Sequence, residues 1–439
     1  MGNKMDNRFV MDSCSVNEKG HLTLAGVDTV ELAGEYGTPL MAMDENKIRE
    51  ICRIYKEAMT ENFGEDAMPL FASKALSFKR IYQIIAEEGL GSDAVSSGEL
   101  YTMSKAGFDM KNVVFHGNNK TDSDIRYAIQ LGCGRFVVDN EDELKAVNEI
   151  AGELGVKQKI LLRITPGIDP HTHKAIVTGS VDSKFGSAIA TGQAEKIVKN
   201  TLECESVELM GYHCHIGSQI FEVSPFEEAA AVMTEFIADM RDKLGYTAKE
   251  LNLGGGFGVR YVKEHPYFDY AEAIKTLADT VKKICKRYGL ALPRILMEPG
   301  RSIVAASGLT LYTVGSVKNI PNVKNYVSVD GGMADNPRYA LYQSQYEIVL
   351  ANKAAEKADT VCSVAGRCCE SGDLIAENIK LAKAEKGDTL AVLVTGAYNY
   401  SMASNYNRIP RPAVVMIRDG KPYVAVRRES FEDLVRNDL

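Results

Sequence analysis

Lys74 lies at the end of a short apolar run, where a charged side chain is unusual. The run "PLFASKA" spans 69–75 and has the composition of a buried strand, which normally keeps its charges outside. Lys74 either extends its ammonium group to the surface, as most such lysines do, or lies in a partly dry cavity. A desolvated amine with a lowered pKa can attack a carbonyl carbon and form a Schiff base.

Two further motifs combine a charged or glycine-rich turn with a strand end. "MEPGRS" offers Glu298 and Arg301, which form either a local salt bridge or two separate contacts, a carboxylate to a ring nitrogen and a guanidinium to an anion. "NLGGGFG" is either a turn that needs positive φ angles or a loop whose bare N–H groups bind phosphate. It lacks the GxGxxG spacing, so a nicotinamide dinucleotide is disfavoured.

Paired histidines raise the hypothesis of a metal site. His213 and His215 are two apart in a strand-like run and therefore share one face of it. With His171 and His173 they suggest the zinc or iron centre of a barrel hydrolase. No set of bridging carboxylates accompanies them, and a buried histidine also stacks on rings or binds backbone groups, so metal is the weaker hypothesis.

The elements that must position these residues alternate between strand and helix. Parallel βαβ units are therefore expected, and eight of them suggest a (β/α)8 barrel, with an open doubly wound sheet as the alternative. In such a barrel the chemistry lies at the carboxyl ends of the strands, where the candidate residues Lys74, Asp93, His116, His215, Gly254 to Gly256 and Glu298 fall. The eight strand-like runs are 69–75, 91–97, 112–117, 135–139, 159–164, 209–217, 250–256 and 294–300.

The chain beyond residue 306 has a different pattern, with strand-like runs, Gly and Asp turns and little helix. It predicts a second, mostly antiparallel β domain. The segment 17–28, "NEKGHLTLAGVD", also reads as a strand that joins this domain. The expected domains are a barrel over 36–305 and a β domain made of 1–35 plus 306–439.

Composition and charge exclude several classes of partner. The chain has 439 residues, 45% of them hydrophobic, and a net charge of −8, which gives no basic surface for nucleic acid or anionic lipid. A small-molecule partner is expected. The N-terminus is polar and no apolar stretch is long enough to span a bilayer, so a cytoplasmic protein is expected. Nine cysteines without a CxxC pair indicate reduced thiols.

Nine collinear fragments between about residues 35 and 412 resemble the diaminopimelate decarboxylase family: "FASKA", "GSDAVSSGEL", "FHGNNK", "SKFG", "HCHIGSQ", "LGGGFG", "MEPGRS", "CESGD" and "GAYNYSMASNYNRIPRP". That family is similar in fold to alanine racemase and eukaryotic ornithine decarboxylase. The resemblance implies a pyridoxal 5'-phosphate (PLP) barrel followed by a β domain that takes in the N-terminal strand. It also implies decarboxylation of meso-2,6-diaminopimelate to L-lysine and CO2, the last step of lysine biosynthesis, by a homodimer with active sites shared between subunits.

The resemblance assigns roles to individual residues. Lys74 would hold PLP as a Schiff base, His215 would stack on its ring, and Glu298 would keep the ring nitrogen protonated. Ser218, Gly254, Gly255, Gly256, Arg301 and Tyr398 would hold the phosphate, and Asp93 joins the cofactor-binding set. Cys369 would protonate Cα from the neighbouring subunit, and Glu370 would bind the distal ammonium group. Cys368 precedes Cys369, so that assignment rests on position in "CESGD", and a lone cysteine is more often a small buried hydrophobe.

Substrate choice is expected to rest on "DNPRYALY", which departs at Tyr339 from the "RPALY" usual in the family. Arg338, with Arg301, would clamp the distal carboxylate of diaminopimelate, and Tyr342 and Tyr398 would also contact substrate. Two arginines would repel ornithine, which carries only an amine at that end.

Alternatives stay open beside this interpretation. Glu298 favours decarboxylation over racemisation, because alanine racemases have an arginine at that place. Another PLP enzyme is the second hypothesis, either a racemase or a decarboxylase of ornithine, arginine or carboxynorspermidine. A metal-dependent hydrolase is the third, and a non-catalytic PLP-binding module would not need the β domain or "CESGD".

Overall fold

The structure is a computed structural model that describes residues 8–169 and 183–439. Its described residues form two compact units. We call the first the barrel unit, which consists of the described parts of 51–258 and 267–302. We call the second the β unit, which consists of 8–50, 259–266 and 303–439. The domain boundaries expected at residues 36 and 305 remain predictions.

Eight parallel strands close into a barrel, as the sequence predicts. Leu296 of β8 pairs with Met68 of β1, and Phe136 of β4 pairs with Ile160 of β5. Because the last strand pairs with the first, the sheet is closed, and the open doubly wound alternative is wrong. The strands are β1 (Met68–Ala72), β2 (Gly91–Ala94), β3 (Val113–Phe115), β4 (Arg135–Val138), β5 (Gln158–Thr165), β6 (Val207–His213), β7 (Glu250–Asn252) and β8 (Arg294–Met297), with the short strand Ser187–Ala188 beside β5.

Helices connect these strands and have local start and stop signals. The Ser96 side chain accepts the N–H of Glu99, and Thr121 forms a capping box with Asp124. Gly245 and Gly289 end two long helices in the left-handed conformation that glycine adopts without strain. The helices are Glu45–Phe63, Lys79–Glu87, Ser97–Ala106, Asp122–Gln130, Glu141–Glu153, Gln193–Leu202, Ser224–Leu244, Tyr270–Tyr288 and the single turn Arg301–Val304 after β8.

The interior of the barrel is a packed apolar core rather than a pore. Side chains from six of the eight strands meet there, all of them buried: Leu70, Val114, Val137, Leu161, Met210 and Leu296. This core fixes the strand orientation, so the residues that follow each strand meet at one edge.

The β unit is built on a mostly antiparallel sheet. Its strands lie in the order Leu374–Leu381, Thr360–Ala365, Lys324–Val329, Gly308–Ile320, Leu40–Asp44, Ala413–Arg418 and Lys421–Val426. In addition, Thr389–Val392 pairs with Gly308–Ile320, and Ile348–Leu350 pairs with Thr389–Val392. Its helices are Thr29–Tyr36, Arg338–Tyr342 and Phe431–Val435.

The segment 17–28 does belong to the β unit, but the N-terminal strand that pairs within the large sheet is Leu40–Asp44. That segment contributes Leu22–Leu24 and Val27–Asp28 to a separate small sheet with Cys14–Val16. In the described chain, none of the helices combines the length and apolar character that a membrane crossing requires.

Candidate functional site

One buried carboxylate, that of Glu298, accepts hydrogen bonds from side chains at the ends of three other barrel strands. Glu298 directly follows β8, and its Oε1 accepts hydrogen bonds from His116 Nε2 at 2.6 Å and from Asn252 Nδ2 at 2.7 Å. Its Oε2 accepts one longer bond, from His213 Nε2 at 3.2 Å. His116 follows β3, and His213 and Asn252 end β6 and β7. Burial alone would raise the pKa of Glu298, but the two adjacent imidazoles lower this pKa well below its usual range.

The two histidines are neutral donors. Burial lowers the pKa of His213 to about 4 and also lowers the pKa of His116. Nδ1 of His213 is buried without a hydrogen-bond partner, which suits a bare lone pair and not the N–H of an imidazolium. Each ring therefore carries its proton on Nε2, directed at Glu298.

Three glycines allow the loop after β7 to pack against neighbouring backbone. A Cβ at Gly254, Gly255 or Gly256 would come within 2.5, 2.1 or 2.3 Å of a carbonyl oxygen. The N–H of Gly254 donates to Asn252 Oδ1 at 2.9 Å, and that of Gly255 donates to His215 Nδ1 at 3.4 Å. Close approach of the backbone thus requires glycine here, and the phosphate contact remains a prediction.

His215 lies beyond the end of β6, so it does not share a strand face with His213. The expectation of two histidines on one face is wrong because β6 ends at His213 and alternation stops there. His215 is half-buried at the glycine loop. Burial lowers its pKa well below the usual value, and the positive charges of Lys74 and Arg163 lower it further.

Lys74 lies on the turn that follows β1, next to Asp93 of β2. The N–H of Ser73 donates to Asp93 Oδ1 at 2.8 Å, which fixes this turn. Burial, and then the charge of Glu298, raises the pKa of Asp93 well above its usual value. The side chain of Lys74 is exposed, contrary to the expected desolvated amine, because β1 ends at Ala72 and the lysine is on the turn beyond it.

Arg301 begins the helical turn after β8 and is buried. Its Nε and Nη2 donate to Ser218 Oγ at 3.3 and 3.0 Å. A guanidinium and a hydroxyl therefore lie side by side, as an anion site requires.

The β unit holds a second buried guanidinium, that of Arg338. Arg338 is only 8% exposed, and the rings of Tyr261, Tyr342 and Tyr398 lie 5.5–5.8 Å from its central carbon. Its Nη2 donates to Ser344 Oγ at 3.2 Å, and its Nε has no hydrogen-bond partner. Among the described residues, none places a carboxylate within ion-pair distance of it. This charge is therefore available to an anionic ligand.

The "CESGD" loop, also in the β unit, is held by Asp373. The carboxylate of this buried residue accepts the N–H groups of Cys368 and Met333, both at 2.6 Å. It thereby joins the loop that carries Cys369 to the loop that precedes Arg338. Cys368 is buried, with a pKa raised to about 11, first by burial and then by the charge of Asp373. Cys369 and Glu370 are exposed.

Comparisons with known proteins agree with this arrangement. The family model for the pyridoxal binding domain of pyridoxal-dependent decarboxylases matches residues 45–305. The chain is 50% identical over 414 residues to diaminopimelate decarboxylase of Bacillus methanolicus, covering 94% of this chain and 96% of that one. It is 46% identical over 431 residues to the Bacillus subtilis enzyme, covering 98% of each chain. The chain belongs to the diaminopimelate decarboxylase family.

A solved structure of the family supports the same conclusion. Diaminopimelate decarboxylase from M. jannaschii, in a co-complex with L-lysine, superposes with a TM-score of 0.90 at 36% identity, over 98% of each chain. The cofactor of the family is PLP. The barrel residues fit this cofactor chemically, because Glu298 Oε2 has room for one more donor and Arg301 with Ser218 offers donors to an anion.

The metal hypothesis rests on four histidines, and the described residues include only two of them. His171 and His173 lie outside the described residues, and His215 is not part of the His213 cluster. Ligand atoms of His116, His213 and Glu298 do lie within 4.8 Å of one another. Hydrogen bonds from His116 and His213 to Glu298 account for this proximity.

Sequence reasoning missed the roles of four residues. His116 and Asn252 each lie at a strand end, which is a weak signal, and Asp373 closes the "CESGD" motif. Tyr261 belongs to the β unit although it lies within the expected barrel domain, so nothing local indicates its contact with Arg338.

Proposed function

We propose that this chain decarboxylates meso-2,6-diaminopimelate to L-lysine and CO2 with PLP as cofactor. Its relatives' names and identities of up to 50% support this activity. The observation that carries it is Glu298, a buried carboxylate kept ionised by three N–H donors. When bound, PLP provides a ring that accepts the electron pair left at Cα when CO2 departs.

The residues of the barrel unit have distinct tasks in this proposal. Lys74 would hold the cofactor through its side-chain amine, and Asp93 holds the turn that carries Lys74. Glu298 would keep a proton on the ring nitrogen, and His215 would lie against the ring. The phosphate would be held by Ser218, Gly254, Gly255, Gly256, Arg301 and Tyr398.

The remaining proposed site residues recognise the substrate and supply a proton. Arg338 binds the distal carboxylate, and Tyr342 and Tyr398 line this contact. The bond between Arg301 and Ser218 favours a phosphate role for Arg301 over the expected second substrate contact. Cys369 donates a proton to Cα, and Glu370 binds the distal ammonium group. The exposure of Cys369 and the raised pKa of buried Cys368 support this choice of thiol.

We propose further that the enzyme is a cytoplasmic homodimer in which Cys369 and Glu370 complete the site of the neighbouring subunit. All nine cysteines are free thiols, as in a reducing compartment. The reaction would be the last step of lysine biosynthesis.

The activity is tested by CO2 release from meso-diaminopimelate, ornithine and arginine. Release from diaminopimelate alone is expected, and preference for ornithine or arginine would contradict the proposal. Borohydride should fix PLP to the peptide that contains Lys74. Lys74→Ala should lose both turnover and this label, whereas the control Lys79→Ala, an exposed lysine five residues on, should keep them.

The shared site is tested by mixing inactive variants. Lys74→Ala and Cys369→Ala subunits, mixed and allowed to exchange, should regenerate one intact site in each mixed dimer. Activity no higher than the sum of the two variants after proven exchange would show that each site lies within one chain.

A further inference from the structure

The hydrogen bonds to Glu298 are distributed unequally over its two oxygens. Oε1 accepts two short bonds, from His116 at 2.6 Å and Asn252 at 2.7 Å. Oε2 accepts only the 3.2 Å bond from His213. Within the described chain, Oε2 therefore keeps a lone pair for one further donor, while Oε1 is saturated.

A carboxylate facing a pyridine nitrogen shares one proton with it. The proton stays on the nitrogen when the carboxylate is stabilised in its ionised form, and moves to the carboxyl group when burial makes that charge too costly. Burial of Glu298 favours the second outcome, and the N–H donors on its oxygens favour the first. The donors therefore decide which atom carries the proton.

We propose that His116 is a positioning residue that keeps this proton on the ring nitrogen by donating its Nε2–H to Glu298 Oε1. This inference rests on the proposed function, since it requires PLP at Glu298. His116 is the best single site to test, because its bond is the shortest of the three. Asn252 also accepts the N–H of Gly254, so changing it would disturb the glycine loop as well.

Other charged groups face the cluster and must be kept constant. Burial lowers the pKa of His116, and the charges of Arg163 and Lys120 lower it further. Burial, and then the charge of Glu298, raises the pKa of Asp93. His213 adds its own donor and stacks edge-on against His116, with ring centroids 4.8 Å apart. A change at His116 alone leaves these groups in place.

The test uses the enzyme reconstituted with PLP that carries nitrogen-15 in its ring. The nitrogen-15 chemical shift distinguishes a pyridinium from a neutral pyridine and does not depend on turnover. The variants are His116→Leu, which removes the donor, and His116→Gln, whose amide N–H reaches the same position. A hydrogen bond to a charged group changes an equilibrium by about 10- to 100-fold. We therefore expect the pyridinium-to-pyridine ratio to fall by about 10- to 100-fold in His116→Leu.

Wild type and His116→Gln should give the pyridinium signal from pH 6 to 9, and His116→Leu should shift toward neutral pyridine. A wild-type signal in His116→Leu would overturn the inference. If His116→Leu does not fold, as judged by circular dichroism, His213→Leu takes its place and must shift the signal in the same direction. Glu298→Gln distinguishes failure of the inference about His116 from failure of the proposed function. An unchanged pyridinium signal in this variant would contradict the role of Glu298 itself.

Discussion

Replacing Arg338 with methionine should remove the preference for a substrate with a distal carboxylate. Methionine keeps much of the apolar stem of arginine, so the surrounding tyrosine rings retain a packing partner. In the wild type Arg338 is 8% exposed, its Nη2 donates to Ser344, and its buried Nε has no hydrogen-bond partner. A substrate carboxylate would supply the missing negative charge and acceptors.

The size of the effect follows from these contacts. Each hydrogen bond between charged groups is worth about 1.5–3 kcal/mol. Two parallel bonds therefore give about 3–6 kcal/mol before desolvation of the carboxylate is subtracted. A net loss of about 3–4 kcal/mol corresponds to a 100- to 1000-fold fall in kcat/KM for diaminopimelate. The distal carboxylate does not react, so the loss should appear mainly in KM.

The assay compares meso-diaminopimelate with D-lysine, which lacks the distal carboxylate and has the same configuration at the reacting centre. Arg338→Met should lower kcat/KM for diaminopimelate and change that for D-lysine by less than about 3-fold. Arg338→Lys should fall between, because an ammonium group cannot form the bidentate contact. The control Arg436→Met, at an exposed position, should match wild type. An undiminished diaminopimelate preference in Arg338→Met would refute this role for Arg338.

Two other outcomes can be checked with single variants. Cys369→Ala should lower kcat by about 100-fold or more, the usual contribution of a positioned acid, with less change in KM; steady-state kinetics measure this, and an unchanged kcat would assign the proton to another group. Burial raises the pKa of Asp335 to about 7. Between about pH 4 and pH 7 the folded chain therefore keeps a proton that the unfolded chain has lost. The free energy of unfolding accordingly falls as the pH rises through this window. Asp335→Asn should remove that part of the pH dependence, measured as the melting temperature against pH, and identical slopes in both proteins would contradict the assignment.

The barrel could be predicted because its signals are local. Most strands are short apolar runs, several helices have side-chain or glycine caps, and the candidate residues lie at or just after strand ends. The strand Leu40–Asp44 could not be assigned in the same way. It pairs with Gly308–Ile320 and with Ala413–Arg418, more than 260 residues away in sequence. Its place depends on those partners and not on its own composition.

Some features of the site could likewise be predicted from the sequence, and others could not. Lys74, Glu298 and the glycines stand in recognisable motifs, whereas the bond from His116 to Glu298 joins residues 182 positions apart. A sequence gives the residue types near a strand end but not which carboxylate a histidine faces. The donor set on Glu298 therefore needed the closed barrel, which brings β3, β6, β7 and β8 to one edge.

The two histidines of "HCHIGSQ" illustrate how a strand end separates neighbouring residues. Had β6 continued two residues further, His213 and His215 would share a face, as a metal site requires. Because the strand ends at His213, that ring donates to Glu298, while His215 accepts the N–H of Gly255 on the glycine loop. One motif thus serves two parts of the proposed cofactor site, its acidic group and its glycine loop. Exchanging His213 and His215 for other residues should accordingly give different defects, loss of ring protonation in the first case and weaker cofactor binding in the second.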